Sequence, residues 1–186
     1  MIAALAGLSF AALSGIVYKL HHKSGPDNGD LPFESKQVPH HTHLLVRKLK
    51  LGDLSKGFFD LLSELTNATP VPEDVFRERY RQQRKSGQYC VLVIVDSESN
   101  CIVGTATLLV EKKFLRGCGA VGHIEDVVVS RAYRGRKLGQ LLLRELAQVA
   151  FAAGCYKAIL DCDADKAAFY QSCGFRIKGV QMAKYF

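Results

Sequence analysis

The residues of this chain best suited to chemistry are three cations and two glycines within six positions, Arg134-Gly135-Arg136-Lys137-Leu138-Gly139. They stand between a β-branched run, residues 124–129, and a segment in which Leu138, Leu141, Leu142 and Leu146 recur at helical spacing. A helix start at that point offers unpaired backbone N–H groups and the positive end of the helix dipole, and glycine lets a ligand approach them closely. An anion, above all a phosphate, is the guest such a turn suits. The competing reading is a basic, solvated helix start in an ordinary α/β domain. A second basic group, Lys112-Lys113-Phe114-Leu115-Arg116, precedes the strand, and an acidic pair, Glu125-Asp126, lies within it. Neighbouring residues of a strand point to opposite faces, so both carboxylates reach one ligand only if a bulge re-aims one of them.

Charge agrees with an anionic guest. Lys and Arg number 25 against 18 Asp and Glu, a net +7. The first 41 residues add nothing to it, because Lys19, Lys23 and Lys36 balance Asp27, Asp30 and Glu34. The excess therefore belongs to the rest of the chain, where it suits phosphorylated small molecules or anionic lipid. No aromatic-interleaved basic stripe or helix-turn-helix pattern supports nucleic acid. Cys90, Cys101, Cys118, Cys155, Cys162 and Cys173 include no pair at zinc-knuckle spacing, and several lie in apolar runs, so they read as reduced thiols of a cytosol-facing domain. The His40-His41-Thr42-His43 cluster has no carboxylate or Cys partner at ligand spacing, and no metal is expected.

Three segments follow from composition. Residues 1–18 carry no charge and end in Lys19 and Lys23, the pattern of a marginally short membrane segment with its basic flank on the cytosolic side. An uncleaved anchor over residues 1–20 is the favoured reading; a cleaved signal or an organellar presequence competes with it. Residues 21–41, rich in Pro and Gly, read as a linker, and residues 42–186 as one α/β domain. Within it the patterns predict a strand at 44–50 and a helix capped by Asp53 carrying Leu54, Phe58, Leu61, Leu62 and Leu65. A charged helix at 73–85 comes next, then antiparallel strands at 89–95 and 101–111. After the strand at 122–129 and its helix come a strand at 156–162, a short helix at 165–172 and a last strand at 180–186. The sum is a mixed, mostly antiparallel sheet flanked by helices.

The strand, the RGRKLG turn and the helix together resemble the acetyl-CoA-binding motif of the Gcn5-related N-acetyltransferase (GNAT) superfamily, whose turn cradles the CoA pyrophosphate. Arg134 and Gly139 fit its pattern, and Lys137 stands where its middle glycine belongs. KKFLRGCGAVGHIEDVVV, GCYKAILDC, FYQSCGF and the terminal QMAKYF occur in that order. They resemble the glucosamine 6-phosphate N-acetyltransferase family, in its plant-type branch, over residues 44–186. The resemblance implies a single GNAT-like domain that moves the acetyl group of acetyl-CoA to the amine of D-glucosamine 6-phosphate. The products would be CoA and N-acetyl-D-glucosamine 6-phosphate, a step of UDP-N-acetylglucosamine biosynthesis. It also implies direct attack in a ternary complex, acetyl-CoA as an exchanging cosubstrate, no metal, and a homodimer whose C-terminal strands help build each other's sites. With the apolar residues 1–20, the expected location is the cytosolic face of the endoplasmic reticulum membrane.

Residue by residue, the resemblance assigns the backbone of Val127, Val128 and Val129 to pantetheine, and Arg134, Gly135, Arg136, Lys137, Leu138, Gly139 and Gln140 to the pyrophosphate. Tyr170 would sit by the CoA sulfur and protonate the thiolate. Asp161 and Glu125 would serve the amine, with Asp126 and Val127 beside them. Thr66, Lys113, Phe114, Leu115, Arg116, Lys157 and Lys184 would contact the sugar phosphate. Lys166 and Ser172 depart from the family's Asn and Lys, on the CoA side. A cysteine relay through Cys118, Cys155 or Cys162 is set aside, since none has a neighbouring His and a thioester reacts with an amine directly. Two alternatives stand: acetylation of another amine, such as a protein N-terminus or polyamine, and a membrane-tethered CoA-binding scaffold without catalysis. Loss of Tyr170 or Asp161 would favour the scaffold, and both are present.

Overall fold

The computed structural model describes residues 30–186. The expected anchor at 1–20 and the first part of the expected linker lie outside them. Among the described residues, six strands form one sheet in chain order: β1 Lys36–Val38, β2 His41–Lys48, β3 Tyr89–Asp96, β4 Cys101–Lys112, β5 Ala120–Val129 and β6 Cys155–Ile159. Neighbours from β1 to β5 are antiparallel and joined by short turns or by helices; β6 runs parallel to β5. A parallel pair needs a crossover, and the helix Leu138–Ala152 supplies it. The other helices are Phe58–Ser63, Glu73–Ser86 and Ala167–Ser172. In chain order these are α1 (Phe58–Ser63), α2 (Glu73–Ser86), α3 (Leu138–Ala152) and α4 (Ala167–Ser172).

The leucines of α3 explain where that helix lies. Leu138, Leu142, Leu143 and Leu146 are fully buried against Ile94, Leu108 and Ile124 of the sheet, each worth about 1.5–3 kcal/mol relative to exposure. Close approach demands Gly122, since a Cβ there would stand 2.9 Å from Leu108 and 3.1 Å from Ala150. On the opposite face, Phe58, Leu61 and Phe76 of α1 and α2 pack on Val93, Val95 and Val128. The sheet is thus covered on both sides, and β5, next to the β6 edge, contributes Ile124 to one core and Val128 to the other.

Four expectations are corrected. The fold begins before residue 42: β1 pairs with β2, Leu31 joins the core, and Asp30 bridges Arg84 at 2.9 Å. A three-residue strand among prolines leaves too little periodicity to separate it from a linker. The helix after Asp53 is split into a 3-10 turn, Leu51–Lys56, and α1, because Gly57 sits at φ 77. Asp53 lies inside the 3-10 turn rather than at its start: Lys50 is the N-cap, and Asp53 reaches back to accept its N–H at 2.8 Å, while the buried Arg47 guanidinium grips the carboxylate at 2.6 and 2.7 Å. β6 stops at Ile159 rather than 162. Residues 175–186 form no strand, and Val180, Met182, Tyr185 and Phe186 stand open to solvent. Alternation supplies strand propensity but not the partner edge a strand needs.

Candidate active site

The site grows from an irregularity in β5. Its pairing with β6 ends at His123 opposite Ile159, yet β5 runs on to Val129. A wedge opens there, along which the β6-side edge of residues 124–129 has no strand partner among the described residues. On its other edge β5 is bulged: Glu125 pairs with Thr107 and Val128 with Thr105, so Asp126 and Val127 together oppose Ala106. Asp126 takes φ 54 to do so, a left-handed conformation that Asp tolerates better than most residues. The bulge is the condition under which Glu125 and Asp126 can address one ligand.

Both carboxyls are solvent-accessible yet partly desolvated by the sheet, which pushes each above the ordinary carboxylate range. For Glu125 the negative charges of Asp126 and Asp161 add to that effect, and His123 opposes it. Asp161, just past β6, is therefore within electrostatic reach of Glu125, and it accepts a hydrogen bond from Gln181 Nε2 at 3.0 Å. A carboxylate whose affinity for a proton is raised in this way is a better base toward an ammonium group.

At the far end of β5 the chain turns through Arg131–Tyr133 into the N-terminus of α3. Gly135 has φ 81 and Lys137 φ 59. The left-handed backbone that the family's middle glycine would favour is thus kept with a side chain in place, at about 1–2 kcal/mol. Gly139 is required for another reason: a Cβ there would lie 3.1 Å from the Phe169 ring of α4. Three residues that no local sequence signal singles out hold this turn. Glu64, just after α1, accepts from Arg131 N at 2.8 Å and Ser130 Oγ at 3.2 Å and lies 3.7 Å from the Arg134 guanidinium. Tyr133 donates its hydroxyl to Asp96 at 2.5 Å, holding that carboxyl below its usual range, and Arg136 stacks 4.7 Å over the Tyr133 ring. Arg136 and Lys137 have no acidic partner among the described residues and line one end of a groove of about 890 Å³ that runs along α3, past Arg144 and Phe151, to His40 and His41 at the β1–β2 turn. Its lining includes none of residues 124–129, Asp161 or Tyr170, so it is the turn, and not the groove as a whole, that adjoins the β5 wedge.

Tyr170 lies half-buried on α4, edge-on to Phe169 at 5.1 Å and Phe175 at 6.3 Å, against the core that Val127 and Val129 also join. Burial, then the neighbouring Cys162 and Cys173, pushes its phenol up, so it stays protonated and able to donate. Ser172 accepts from Gln140 Nε2 at 3.4 Å, tying α4 to the start of α3, and Lys166 pairs with Asp165. Both departures from the family pattern have local partners. Burial pushes the Cys90 and Cys155 thiols up to about 12 and about 11, which leaves them protonated and poorly nucleophilic. No group of three or more potential metal ligands occurs among the described residues.

The phosphate-binding candidates divide. The Arg116 guanidinium and the Lys157 ammonium stand 5.8 and 5.9 Å from the Tyr156 ring, so one aromatic side chain gathers two cations beside the β5–β6 pairing. Lys113 is paired with Glu111 at 2.5 Å. Phe114, 97% exposed, and Leu115 project from the β4–β5 tip, where Arg116, Gly117 and Cys118 all adopt positive φ. Thr66 is exposed two residues beyond Glu64. Lys184 lies in the exposed tail, over the Phe186 ring and three residues beyond the Gln181 that meets Asp161.

A bulged strand that splays from its parallel neighbour and runs into a cationic turn is the layout of an acyl-group transferase, and the chain belongs to the acetyltransferase (GNAT) family, whose model matches residues 57–175. Within that class it is 42% identical over 142 residues to the glucosamine 6-phosphate N-acetyltransferase of Arabidopsis thaliana, covering 76% of this chain and 95% of that one. It is 45% identical over 140 residues to glucosamine 6-phosphate N-acetyltransferase 1 of Dictyostelium discoideum, covering 75% and 88%. The crystal structure of the Arabidopsis enzyme superimposes with a TM-score of 0.75 over 77% of this chain and 98% of that one.

Proposed function

We propose that this acetyltransferase moves the acetyl group of acetyl-CoA to the amine of D-glucosamine 6-phosphate, releasing CoA and N-acetyl-D-glucosamine 6-phosphate. The observation that carries the reading is the wedge between β5 and β6, with the carboxylates of Glu125, Asp126 and Asp161 at its head. A cationic turn lies at one end and the Arg116–Tyr156–Lys157 cluster at the other. The similarity to the Arabidopsis and Dictyostelium enzymes names the substrate such a layout suits.

Both substrates bind before chemistry begins. The free edge of Val127, Val128 and Val129 pairs with the amides of pantetheine as a strand would, while Arg134 to Gln140 hold the pyrophosphate. Arg116 and Lys157 take the sugar phosphate, Arg by its fork and Lys as a point charge. Asp161, with Glu125, receives a proton from the ammonium group, and the freed amine attacks the thioester carbon. A strand N–H holds the oxyanion. As the C–S bond breaks, its electron pair goes to sulfur, Tyr170 supplies the thiolate's proton, and the second proton of the attacking nitrogen returns to the Tyr170 phenolate, leaving the neutral amide and CoA thiol.

The uncovered edge of β6 and the apolar tail at Ile177, Val180, Met182, Tyr185 and Phe186 support a homodimer in which that tail finds its partner strand. The charge-free residues 1–18 with their basic flank support attachment to a membrane, with the domain on the cytosolic side; the endoplasmic reticulum is the membrane we assign to it. The product then feeds synthesis of UDP-N-acetylglucosamine.

The test is acetyl-CoA consumption by the full chain with glucosamine 6-phosphate or unphosphorylated glucosamine, repeated with Arg116→Ala. Turnover of the phosphorylated sugar, with KM raised about tenfold or more by the substitution, is the expected result. Equal or absent turnover of the two sugars overturns the reading.

A further inference from the structure

The proposed reaction converts an ammonium group and a thioester into an amide and a thiol, so each turnover must deliver one proton to water. We propose that His123, oriented by Glu111, carries that proton from Glu125 to solvent at the β4–β5 hairpin. The inference rests on the reaction given above and adds a residue to it that acts through Glu125 rather than on the substrate.

His123 and Glu125 are two residues apart in β5 ahead of the bulge, so they share a face of the sheet. Opposite them on β4 stand Leu109 and Thr107, and His123 faces Ile159 on β6. No other charged residue occupies those paired positions. The Nε2 atom of His123 lies 2.8 Å from Glu111 Oε2, and the other oxygen of Glu111 lies 2.5 Å from the Lys113 ammonium. Lys113 first, and His123 second, hold the Glu111 carboxyl below its usual range. As an anion it has no proton to give, so Nε2 must donate, and Nδ1 is left as the lone pair of the ring.

That tautomer is the one a relay requires. Nδ1 accepts the proton shed by Glu125, directly or through one water, and the resulting imidazolium is stabilised by Glu111. The His123 side chain is 28% exposed, so Nδ1–H then passes its proton to solvent or buffer. The charges around the ring bear on it in both senses: Glu111 and Lys113 from β4, Lys157 and Asp161 from β6 and beyond, Glu125 and Asp126 along β5. Glu125 in turn responds to His123, which draws its carboxyl down against the stronger effects of burial and of Asp126 and Asp161.

The experiment measures phosphosugar acetylation by the full chain and by His123→Ala, at fixed pH and ionic strength, over a series of imidazole buffer concentrations. In dilute buffer the variant should lose about tenfold in kcat, less than a direct general base would cost, with both KM values within about twofold of wild type. Raising the imidazole concentration should restore kcat in the variant and leave wild type unchanged. Glu111→Gln should move the acidic limb of the rate profile to lower pH, because the imidazolium loses its counter-charge. His123→Gln keeps the side-chain volume and serves if the alanine variant misfolds, as judged by circular dichroism. No loss of kcat, or a loss indifferent to buffer, overturns the relay alone. A wild-type chain that fails to acetylate the phosphosugar overturns the reaction and the relay with it.

Discussion

The two ends of the β5 cleft are built differently. At the CoA end, Glu64, Asp96, Gln140 and Ser172 fasten the turn after β5 to α1, β3 and α4 by side chains far apart in sequence. At the end proposed for the sugar, the hairpin tip and the tail expose Phe114, Leu115, Met182 and Tyr185, and Asp161 is met by the tail's Gln181. One end is tied together by contacts within the chain; the other presents apolar surface to solvent. Under the proposed function, the acyl donor is held at the end tied together by long-range side-chain contacts. Under the proposed homodimer, the end that selects the acceptor is the one a second copy would complete.

The largest effect expected falls where the two ends meet. Asp161→Asn keeps the hydrogen-bonding shape but removes the base, and should lower kcat by roughly 10²–10⁴ with little change in the KM for acetyl-CoA. Steady-state kinetics in both substrates check this, and a fall confined to KM would assign Asp161 to binding. Next comes removal of residues 176–186. It should leave CoA binding, followed by calorimetry, within about twofold. It should also cut kcat/KM for the phosphosugar about tenfold or more, from loss of one hydrogen bond to a charged group, worth about 1.5–3 kcal/mol. The opposite pattern would invert the comparison. Glu64→Ala probes the fastened end: the turn loses two hydrogen bonds and an ionic neighbour, and the KM for acetyl-CoA should rise about tenfold while that for the phosphosugar stays put.

How much of this was legible depends on range. The turn, α3 and the strands from 89 to 129 were readable because their periodicity and basic glycine turn are local. The fork of Arg47 on Asp53 and the clamp of Glu64 on Arg131 were not, since nothing around a Glu at a helix C-terminus distinguishes one that will hold a distant turn. The Glu125-Asp126 pair gave a conditional reading, that both could act only across a bulge, and the bulge is present without any glycine to announce it. At the other extreme, the tail pattern at 180–186 was plainly strand-like, and a single chain offers it no partner. The fastened end failed to be legible through its long-range contacts, and the open end through a missing neighbour.

The smallest effect, and the sharpest on the fastened end, concerns Lys137. Its φ of 59 puts a β-carbon where the backbone prefers none, at about 1–2 kcal/mol. A glycine there would relieve that strain but add about 0.4–1 kcal/mol of unfolded-state entropy to be overcome. Lys137→Gly should therefore stabilise the fold by about 0.5 kcal/mol in denaturant titration, near the limit of detection. The same change removes a cation that faces the groove with no acidic partner among the described residues, so CoA affinity should fall even as stability rises. A variant that gains both would mean the left-handed turn alone, without the lysine charge, holds the pyrophosphate. A variant that loses stability would mean the Lys137 side chain makes contacts worth more than the strain it imposes.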